Sequence, residues 1–263
     1  MIDQMGRKVN LLQKPSRIIC LNPSQTELLV DLGLEEYIVG VTKFCIHPVH
    51  LRKNKTVVGG TKQISLAKID ALKPDIILCN KEENTKEMVL ALEKKYPVHV
   101  ADIATIDETL DLIRQYGVLF QCEDKAIALC TILNNRVADF KQFVSTTSKK
   151  RVAYFIWKNP WMAVGNNTFI HHLLELNGFV NIFGTIARYP EIDMNALDQH
   201  KPDFLLLSSE PFPFSEKHIE EVKLMPTKAK AVLVDGEYFS WYGSRLIHAF
   251  DYFKALHTQL QEI

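Results

Sequence analysis

Short apolar runs alternate with segments of helical periodicity along the first half of the chain. The apolar runs are typical of buried strands and comprise RIICL at 17–21, YIVGVT at 37–42, DIILC at 75–79 and VHVAD at 98–102. The intervening segments carry apolar residues at helical spacing and are predicted to be helices at 22–33, 65–75, 85–95 and 105–120. Strands that alternate with helices usually form a mainly parallel sheet. The pattern therefore predicts an α/β fold.

Local signals mark the ends of two of these helices. Ser24, followed by Glu27 three positions later, fits a capping box and predicts the start of the first helix. Gly33 predicts the end of that helix. Pro74 predicts the end of the helix at 65–75, because proline disfavours a helical conformation in the residue before it.

The second half of the chain repeats this plan. RVAYFIW at 151–157 predicts a strand, 166–178 predicts a helix closed by Gly178, and NIFGTI at 181–186 occupies the place of the strand YIVGVT. ALDQHKPDFLLLSS at 196–209 repeats ALKPDIILCN, each with the triplet KPD leading into a strand. The shared order of elements predicts a protein of two similar lobes.

One long amphipathic segment separates the halves. Apolar residues follow helical spacing between positions 122 and 147, and neither Gly nor Pro interrupts them. A helix of about 24 residues would be roughly 36 Å long. The predicted organisation is an N-terminal lobe at 1–121, a stiff interdomain helix at 122–149 that limits lobe movement, and a C-terminal lobe at 150–263.

Composition excludes several classes of function. Hydrophobic residues make up 47% and charged residues 24% of the 263 residues, and 31 basic residues balance 31 acidic ones. A nucleic-acid or polybasic membrane surface would leave a positive excess. No apolar run approaches the roughly 18 residues that span a bilayer. The five scattered cysteines form no CxxC pair and are expected to be buried thiols.

The first fifteen residues, MIDQMGRKVNLLQKP, lack the apolar core of a signal peptide. This predicts either a cytosolic chain or one from which a signal has been removed.

Ligands of open α/β sheets bind beyond the carboxyl ends of the strands. The segments expected there carry many aromatic residues, which the sequence predicts at one end of the second lobe: Trp157, Trp161, Tyr189, Phe212, Phe214, Tyr238, Trp241 and Tyr242. Each ring could instead pack over a sheet edge. Taken together, aromatic walls with a few polar anchors suit a large, flat and partly apolar ligand.

Signatures of catalysis and of metal cages are missing from the sequence. VGG at 58–60 and VGNN at 164–167 fit neither a P-loop nor GxGxxG, and no GxSxG or HExxH is present. His47 is compatible with a metal or axial-ligand role and equally with a hydrogen-bonded turn. Carboxylates such as Glu82, Glu210 and Glu237 are expected to orient a ligand. The sequence therefore predicts a protein without catalytic residues, bound metal or a cofactor of its own.

Three stretches carry a family resemblance. The first half of the chain and the connecting helix resemble the helical-backbone metal-receptor family of periplasmic substrate-binding proteins. The resemblance lies in RIICLNPSQTELLVDLGLEEYIVGVT, in VGGTKQISLAKIDALKPDIILCN and in the uninterrupted helix that follows. Within this family the chain is most similar to the vitamin B12-binding branch, in the stretches RVAYFIWKNPWMAVGNNTFIHHLLELNGFVNIFG and ARYPEI.

The resemblance implies a class III architecture, which consists of two Rossmann-like lobes joined by one long helix. It further implies a monomer in the periplasm or cell envelope that clasps a metal chelate between its lobes. Such a protein performs no chemistry and delivers its ligand to an ABC-type importer. The family's docking glutamates correspond to Ala67 and Asn195 in this chain, so the importer partnership lacks its usual acids.

The predicted ligand-binding residues come from the resemblance and from the residue pattern. By motif the resemblance implies Phe44, Thr61, Asn80, Trp157, Met162, Tyr189, Glu237 and Trp241, and the pattern adds His47, Trp161, Tyr242 and Arg245. Lobe one has Asn80 and glycines where the B12 binder has aromatic residues, which favours a different or smaller chelate.

Capture of a corrinoid is the predicted function, with two alternatives. A ferric-siderophore or haem receptor would use Arg188, Arg245 and His47 toward anionic groups. The other alternative is a cytosolic enzyme or chaperone acting on a tetrapyrrole metal centre, which bound metal and a titrating His47 or Glu237 would favour.

Overall fold

The computed structural model describes residues 1–11 and 13–263. These residues divide into two compact units, each of them discontinuous in sequence. The first unit comprises Met1–Ile103, Asp107–Asn134 and Trp241–Ile247, and the second comprises Ala104–Ile106, Asn135–Ser240 and His248–Ile263.

The first unit is built on a parallel sheet of five strands in the order β3-β2-β1-β4-β5. The strands are β1 Ile18–Cys20, β2 Ile38–Thr42, β3 Thr56–Gly59, β4 Ile76–Asn80 and β5 Val98–Ala101. The helices are α1 Pro23–Asp31, α2 Leu51–Asn54, α3 Leu66–Leu72, α4 Lys86–Glu93 and α5 Ile106–Phe120, with a 3-10 turn at Glu35–Tyr37. Strands buried on both faces read as continuous apolar runs, which is why the sequence pattern found β1, β2, β4 and β5. The strand β3 lies at the edge of the sheet, is only partly buried, and was not predicted.

The second unit has a sheet in the order β10-β9-β6-β7, with the short strand β8 paired to β6. Its strands are β6 Arg151–Trp157, β7 Met162–Ala163, β8 Val180–Asn181, β9 Phe204–Ser208 and β10 Lys230–Val234. Only β7 runs antiparallel to its neighbour. The remaining helices are α7 Phe169–Leu176, α8 Glu216–Lys223, α9 Gly236–Ser240 and α10 Leu246–Glu262, and a 3-10 helix spans Met194–His200.

The predicted strand at 181–186 is wrong beyond its first residue. Asn181 ends β8, because its side-chain Oδ1 accepts a hydrogen bond from Phe183 N and its carbonyl accepts one from Gly184 N. These bonds close a turn, and Phe183 enters the core of the unit at 2% exposure. The apolar residues of NIFGTI therefore serve a buried turn rather than a strand.

The predicted capping box of α1 is also wrong. The helix is capped by Asn22, whose Oδ1 accepts a hydrogen bond from Gln25 N at 2.9 Å. Ser24 lies within the first turn and donates its hydroxyl to the same Oδ1 at 2.7 Å. Glu27 cannot close a box because it binds Arg245. The predicted stop is confirmed, since α1 ends at Asp31 and Gly33 adopts φ +75°.

The two KPD triplets form the same corner in the two units. Lys73 follows α3 and Lys201 follows the 3-10 helix, both in the left-handed conformation at φ 47° and 48°. This conformation ends each helix and turns the chain into the next strand.

An arginine and an aspartate fasten each corner. Asp75 Oδ2 accepts from Arg17 N at 3.0 Å, and Asp203 Oδ2 accepts from Arg151 N at 2.7 Å. The guanidinium groups of Arg17 and Arg151 donate in turn to carbonyl groups at the ends of the preceding helices. The repeat inferred from the order of elements and the KPD triplet thus extends to the hydrogen-bond partners of the triplet.

The connecting helix, α6, runs without interruption over Glu123–Val144, 22 residues or about 33 Å. Residues up to 134 belong to the first unit and those from 135 to the second. The uninterrupted helix is confirmed, while its stiffness and the boundaries 1–121, 122–149 and 150–263 stay predictions.

The thiols are placed as expected. Cys20, Cys45, Cys79 and Cys130 are buried and Cys122 is half-buried, and none is paired in a disulfide. Burial raises the pKa of the Cys79 thiol to about 12. A thiol that stays protonated is inert, so these side chains act as small apolar groups.

Two buried histidines predict a pH-dependent stability. His99 in the first unit and His257 in the second both have their pKa lowered from 6.5, chiefly because burial disfavours the charged ring. The unfolded chain takes up protons as the pH falls through 6.5, whereas the folded chain resists protonation. Stability is therefore full above about pH 6.5 and is lost below it.

We expect the free energy of unfolding, measured in urea, to be smaller at pH 5.5 than at pH 7.5, because the unfolded chain takes up protons at both histidines that the folded chain does not. His257 stacks on Phe179 at 4.9 Å, so His257→Phe keeps the packing and should remove its share of the difference. His248 is exposed, and His248→Gln serves as the control that leaves the difference intact. An unchanged pH dependence in His257→Phe would contradict the assignment.

Candidate functional site

In the first unit, the predicted site residues follow the carboxyl ends of three strands. Phe44 and His47 follow β2, Thr61 follows β3, and Asn80 is the last residue of β4. Parallel strands bring these ends to one edge of the sheet, as ligand binding in open α/β sheets requires.

Phe44 presents an aromatic ring to solvent at this edge. Its side chain is 47% exposed, and Lys43 Nζ lies 4.9 Å from the ring centroid. Its backbone is fixed by a hydrogen bond from Phe44 N to Thr42 Oγ1 at 3.2 Å. An exposed large apolar ring on an ordered turn is suited to contact a ligand.

Asn80, by contrast, is 1% exposed and fully used within the protein. Its Oδ1 accepts from Glu82 N at 2.8 Å and from Glu83 N at 3.1 Å, while its Nδ2 donates to Tyr242 Oη at 2.8 Å. Thr61 is also engaged within the protein, since its backbone carbonyl accepts a hydrogen bond from Asn84 Nδ2 at 2.9 Å. Asn80 thus shapes the turn that carries the two glutamates.

A buried hydrogen-bond network lies behind this edge and is centred on Gln25 of α1. Gln25 Oε1 accepts from Tyr116 Oη at 2.6 Å, and its Nε2 donates to Tyr242 Oη at 2.8 Å and to the Cys79 carbonyl at 3.1 Å. Burial raises the pKa of both tyrosines well above the usual range, so both hydroxyls stay protonated. The network fixes Tyr242 in the first unit.

A second polar cluster surrounds Trp241. Arg245 donates from Nε and Nη2 to the two carboxylate oxygens of Glu27, both at 2.8 Å, and its guanidinium lies 4.8 Å from the Trp241 ring centroid. His47 meets the same ring edge-on at 5.5 Å. Burial raises the pKa of Glu27 despite the opposing effect of Arg245.

These contacts correct one expectation from the sequence. Trp241, Tyr242 and Arg245 were predicted on the second lobe, because the stretch follows a second-lobe strand. In the structure, residues 241–247 belong to the first unit. Gln25 and Glu27 were missed as members of the site, although polar residues in a helix between two apolar strands were a usable signal.

In the second unit, an aromatic row lines the end of β6. Trp157, the last residue of β6, is 40% exposed and meets Phe212 at 5.6 Å. Phe212 contacts Phe214 at 4.7 Å, and Phe214 stacks on Trp161 at 5.6 Å. Trp161 also packs against Phe155 in the core, so Trp157 is the tryptophan of this row that faces outward.

Met162 and Tyr189 lie on adjoining segments of the same unit. Met162 pairs with Trp157 across β6 and β7 and forms a bridge with Glu191. Ala163 N donates to the Pro190 carbonyl at 3.0 Å, which holds the segment carrying Tyr189 against β7. Trp157, Met162 and the segment that carries Tyr189 are therefore neighbours in this unit, and their role in ligand binding stays a prediction.

The stretch DGEYFSWYGSR is partly helical rather than a plain loop, since α9 occupies Gly236–Ser240. Tyr238 stacks on Tyr252 at 4.8 Å, and Phe239 is fully buried against Phe253 at 4.8 Å. Both rings therefore pack against α10. Glu237 is half-buried, and its backbone N donates to Asp235 Oδ1 at 3.0 Å.

The part of the chain that the structure describes contains no group of three or more His, Cys, Asp or Glu side chains placed to hold a metal. None of its helices is both long and apolar enough to cross a membrane. The edges instead present aromatic rings, with carboxylates and amides in support, which suits noncovalent binding.

Comparison with known proteins agrees with this chemistry. A family model described as periplasmic binding protein matches residues 18–231. The chain belongs to the periplasmic binding protein family. The resemblance drawn from the sequence is confirmed, and the fold is that of class III members.

Two relatives and one solved structure show which proteins this chain is similar to. The vitamin B12-binding protein of Photorhabdus laumondii is 24% identical over 250 residues, covering 91% of this chain and 87% of that protein. YvrC of Bacillus subtilis, an uncharacterized ABC transporter substrate-binding lipoprotein, is 24% identical over 212 residues, 78% of this chain and 67% of that protein. The crystal structure of a possible iron-binding (periplasmic solute-binding) protein from Staphylococcus epidermidis matches with a TM-score of 0.79 at 25% identity, covering 94% of this chain and 99% of that one.

Members of the family bind substrates for transport and are not enzymes. Their substrates include vitamin B12, haem and iron chelates, and they work with ABC importers. The family is periplasmic, or anchored to the membrane in its lipoprotein members.

Proposed function

We propose that this periplasmic binding protein captures a metal chelate, specifically a corrinoid, for ABC-type uptake, and that it performs no reaction. The observation that carries the proposal is the pair of exposed aromatic side chains at strand ends, Phe44 at 47% and Trp157 at 40%. Rings of this size can stack on the flat apolar face of a ligand, which removes both surfaces from water. The vitamin B12-binding relative supports the choice of a corrinoid.

We propose that Phe44, Trp157, Met162 and Tyr189 contact the apolar faces of the ligand. His47, Trp241 and Glu237 would flank it, while Asn80 and Tyr242 support the site from within the protein. Trp161, Thr61 and Arg245 have the same supporting role, because each is held by neighbouring protein groups.

Delivery to an importer in the periplasm or cell envelope is the second half of the proposal. Ala67 on α3 and Asn195 in the 3-10 helix are both exposed. By the sequence resemblance, they correspond to the positions at which the family presents docking glutamates. Glu191 and Asp193, both exposed, flank Asn195 and would supply carboxylates there.

A ferric chelate is the second candidate, since the Staphylococcus epidermidis structure is described as a possible iron-binding protein. Calorimetric titration with dicyanocobinamide, cyanocobalamin, haemin and ferrichrome separates the candidates. We expect micromolar or tighter binding of a corrinoid. Tighter binding of haemin or ferrichrome would overturn the corrinoid assignment, and binding of none of the four would overturn the proposed ligand class.

Trp157→Ala is expected to weaken corrinoid binding about tenfold or more, because truncating an aromatic side chain that anchors a ligand typically costs about 2 kcal/mol. Leu224 is the matched control: it is 89% exposed in the same unit but precedes β10, at the opposite edge of the sheet. Leu224→Ala should leave the affinity unchanged. Equal affinities of the two variants would contradict the role of Trp157.

A further inference from the structure

We infer that the first unit contains a second binding site, which takes the phosphate group of a small phosphate monoester. The site is a surface groove of about 360 Å³ lined by three cations and two valines: Lys43, Val49, Arg52, Lys53 and Val57. All five residues belong to the first unit. The inference goes beyond the proposed function and does not rest on it.

The charge of the groove begins with a local imbalance in the sequence. Residues 37–69 contain five lysines and one arginine but no aspartate or glutamate, although the whole chain has 31 residues of each sign. Just before this segment, the Glu35 carboxylate already binds His50 Nε2 at 2.7 Å. A stretch whose charged residues are all basic gives its surface a positive potential, which attracts anions.

The fold gathers part of this charge at the edge of the sheet. Lys43 follows β2, α2 carries Arg52 and Lys53, and the edge strand β3 carries Val57. Lys43 N donates to the Gly59 carbonyl at 2.8 Å, which holds the ends of the two strands together. Cations from the end of β2 and from α2 therefore line one groove.

Neutral groups hold two of the three cations in place. Arg52 Nη1 donates to the Lys43 carbonyl at 2.8 Å, and Lys43 Nζ lies 4.9 Å from the centroid of the Phe44 ring. A carbonyl group and an aromatic ring orient a cation without cancelling its charge. Among the lining residues that the structure describes, none is acidic. The groove thus presents positive charge that an anionic ligand can neutralise.

The lining favours a phosphate monoester over other small anions. At neutral pH a phosphate monoester carries nearly two negative charges on three acceptor oxygens, whereas a carboxylate carries one charge on two oxygens. A guanidinium and two ammonium groups supply donors for three oxygens. Val49, which is 71% exposed, and Val57 form an apolar wall, against which the organic part of the ligand would pack.

NMR titrations that follow the backbone amide signals test the site with phenyl phosphate, inorganic phosphate and benzoate. We expect phenyl phosphate to shift the signals of residues 43–57. It should bind at least about threefold more tightly than inorganic phosphate, which lacks the ring, and than benzoate, which has a single charge. Raising the salt concentration from about 20 mM to about 500 mM should weaken this binding about tenfold. If benzoate binds as tightly as phenyl phosphate, or if these signals do not move, the inference is overturned.

Lys53→Gln and Lys55→Gln form a matched pair of variants. Each removes one positive charge from the same segment, but Lys53 lines the groove and Lys55 does not. We expect Lys53→Gln to weaken the binding of phenyl phosphate about threefold or more, and Lys55→Gln to change it less than about twofold. Equal affinities of the two variants would show only a diffuse attraction to surface charge and would overturn the site. Corrinoid titrations are a separate measurement, so that outcome leaves the proposed function standing.

Lipid headgroups also carry phosphate monoesters, and sedimentation with vesicles separates this source from a small molecule. Three cations are fewer than the clusters of about four to eight that hold a protein on an anionic membrane. We therefore expect no more protein on vesicles of phosphatidylcholine with phosphatidic acid than on vesicles of phosphatidylcholine alone. Sedimentation with phosphatidic acid that Lys53→Gln abolishes, without binding of phenyl phosphate, would overturn the assignment to a small molecule.

Discussion

Replacing Gln25 with leucine is expected to lower the free energy of unfolding by about 3 kcal/mol. Gln25 is fully buried and bonds to the hydroxyls of Tyr116 and Tyr242 and to the Cys79 carbonyl. Leucine has a similar size but neither donates nor accepts. Each buried polar group that loses its partner costs about 1–3 kcal/mol. Urea denaturation monitored by circular dichroism measures the loss.

The control removes a partner as well. In the double variant Gln25→Leu, Tyr116→Phe the Tyr116 hydroxyl is absent, so the penalty for leaving it unsatisfied disappears, while the Tyr242 hydroxyl still accepts from Asn80 Nδ2. We expect the double variant to recover about 1 kcal/mol or more of the stability that Gln25→Leu loses. A double variant less stable than the single one would show that Gln25 acts through packing and not through its bond to Tyr116.

Much of the fold could be predicted because its signals are local. Strands buried on both faces are continuous apolar runs, and the residues of a helix follow one another in the chain. The KPD corner was visible twice because a lysine in the left-handed conformation, a proline and an aspartate suffice to end a helix and start a strand. The same holds for α6, where 22 residues lack any helix breaker.

The site was harder to predict because its contacts join distant residues. Glu27 and Arg245 are 218 positions apart in the chain, and Gln25 and Tyr242 are 217 positions apart. Nothing in the sequence near Trp241 shows that its segment leaves the second unit for the first. The capping of α1 failed for a related reason: the pattern fits Ser24 and Glu27, but Glu27 has a stronger partner elsewhere.

The Glu27→Ala variant should also lose about 3 kcal/mol of stability, since it removes the bidentate carboxylate partner of the largely buried Arg245 guanidinium. The two side chains are 18% and 11% exposed and make two parallel hydrogen bonds of 2.8 Å. Arg245 also holds the Trp241 ring from one side at 4.8 Å. We therefore expect weaker corrinoid binding in this variant, measured by calorimetry alongside urea denaturation.

An exposed ion pair and a double variant test whether burial explains the stability lost in Glu27→Ala. Arg136 and Asp251 form an exposed ion pair in the second unit, with 37% and 59% of their side chains accessible. Asp251→Ala should therefore cost less than about 1 kcal/mol. Glu27→Ala, Arg245→Met removes the buried charge and keeps most of the alkyl stem, so it should be more stable than Glu27→Ala alone. If Glu27→Ala costs no more than Asp251→Ala, the pair contributes no more than a surface contact and does not fix Trp241.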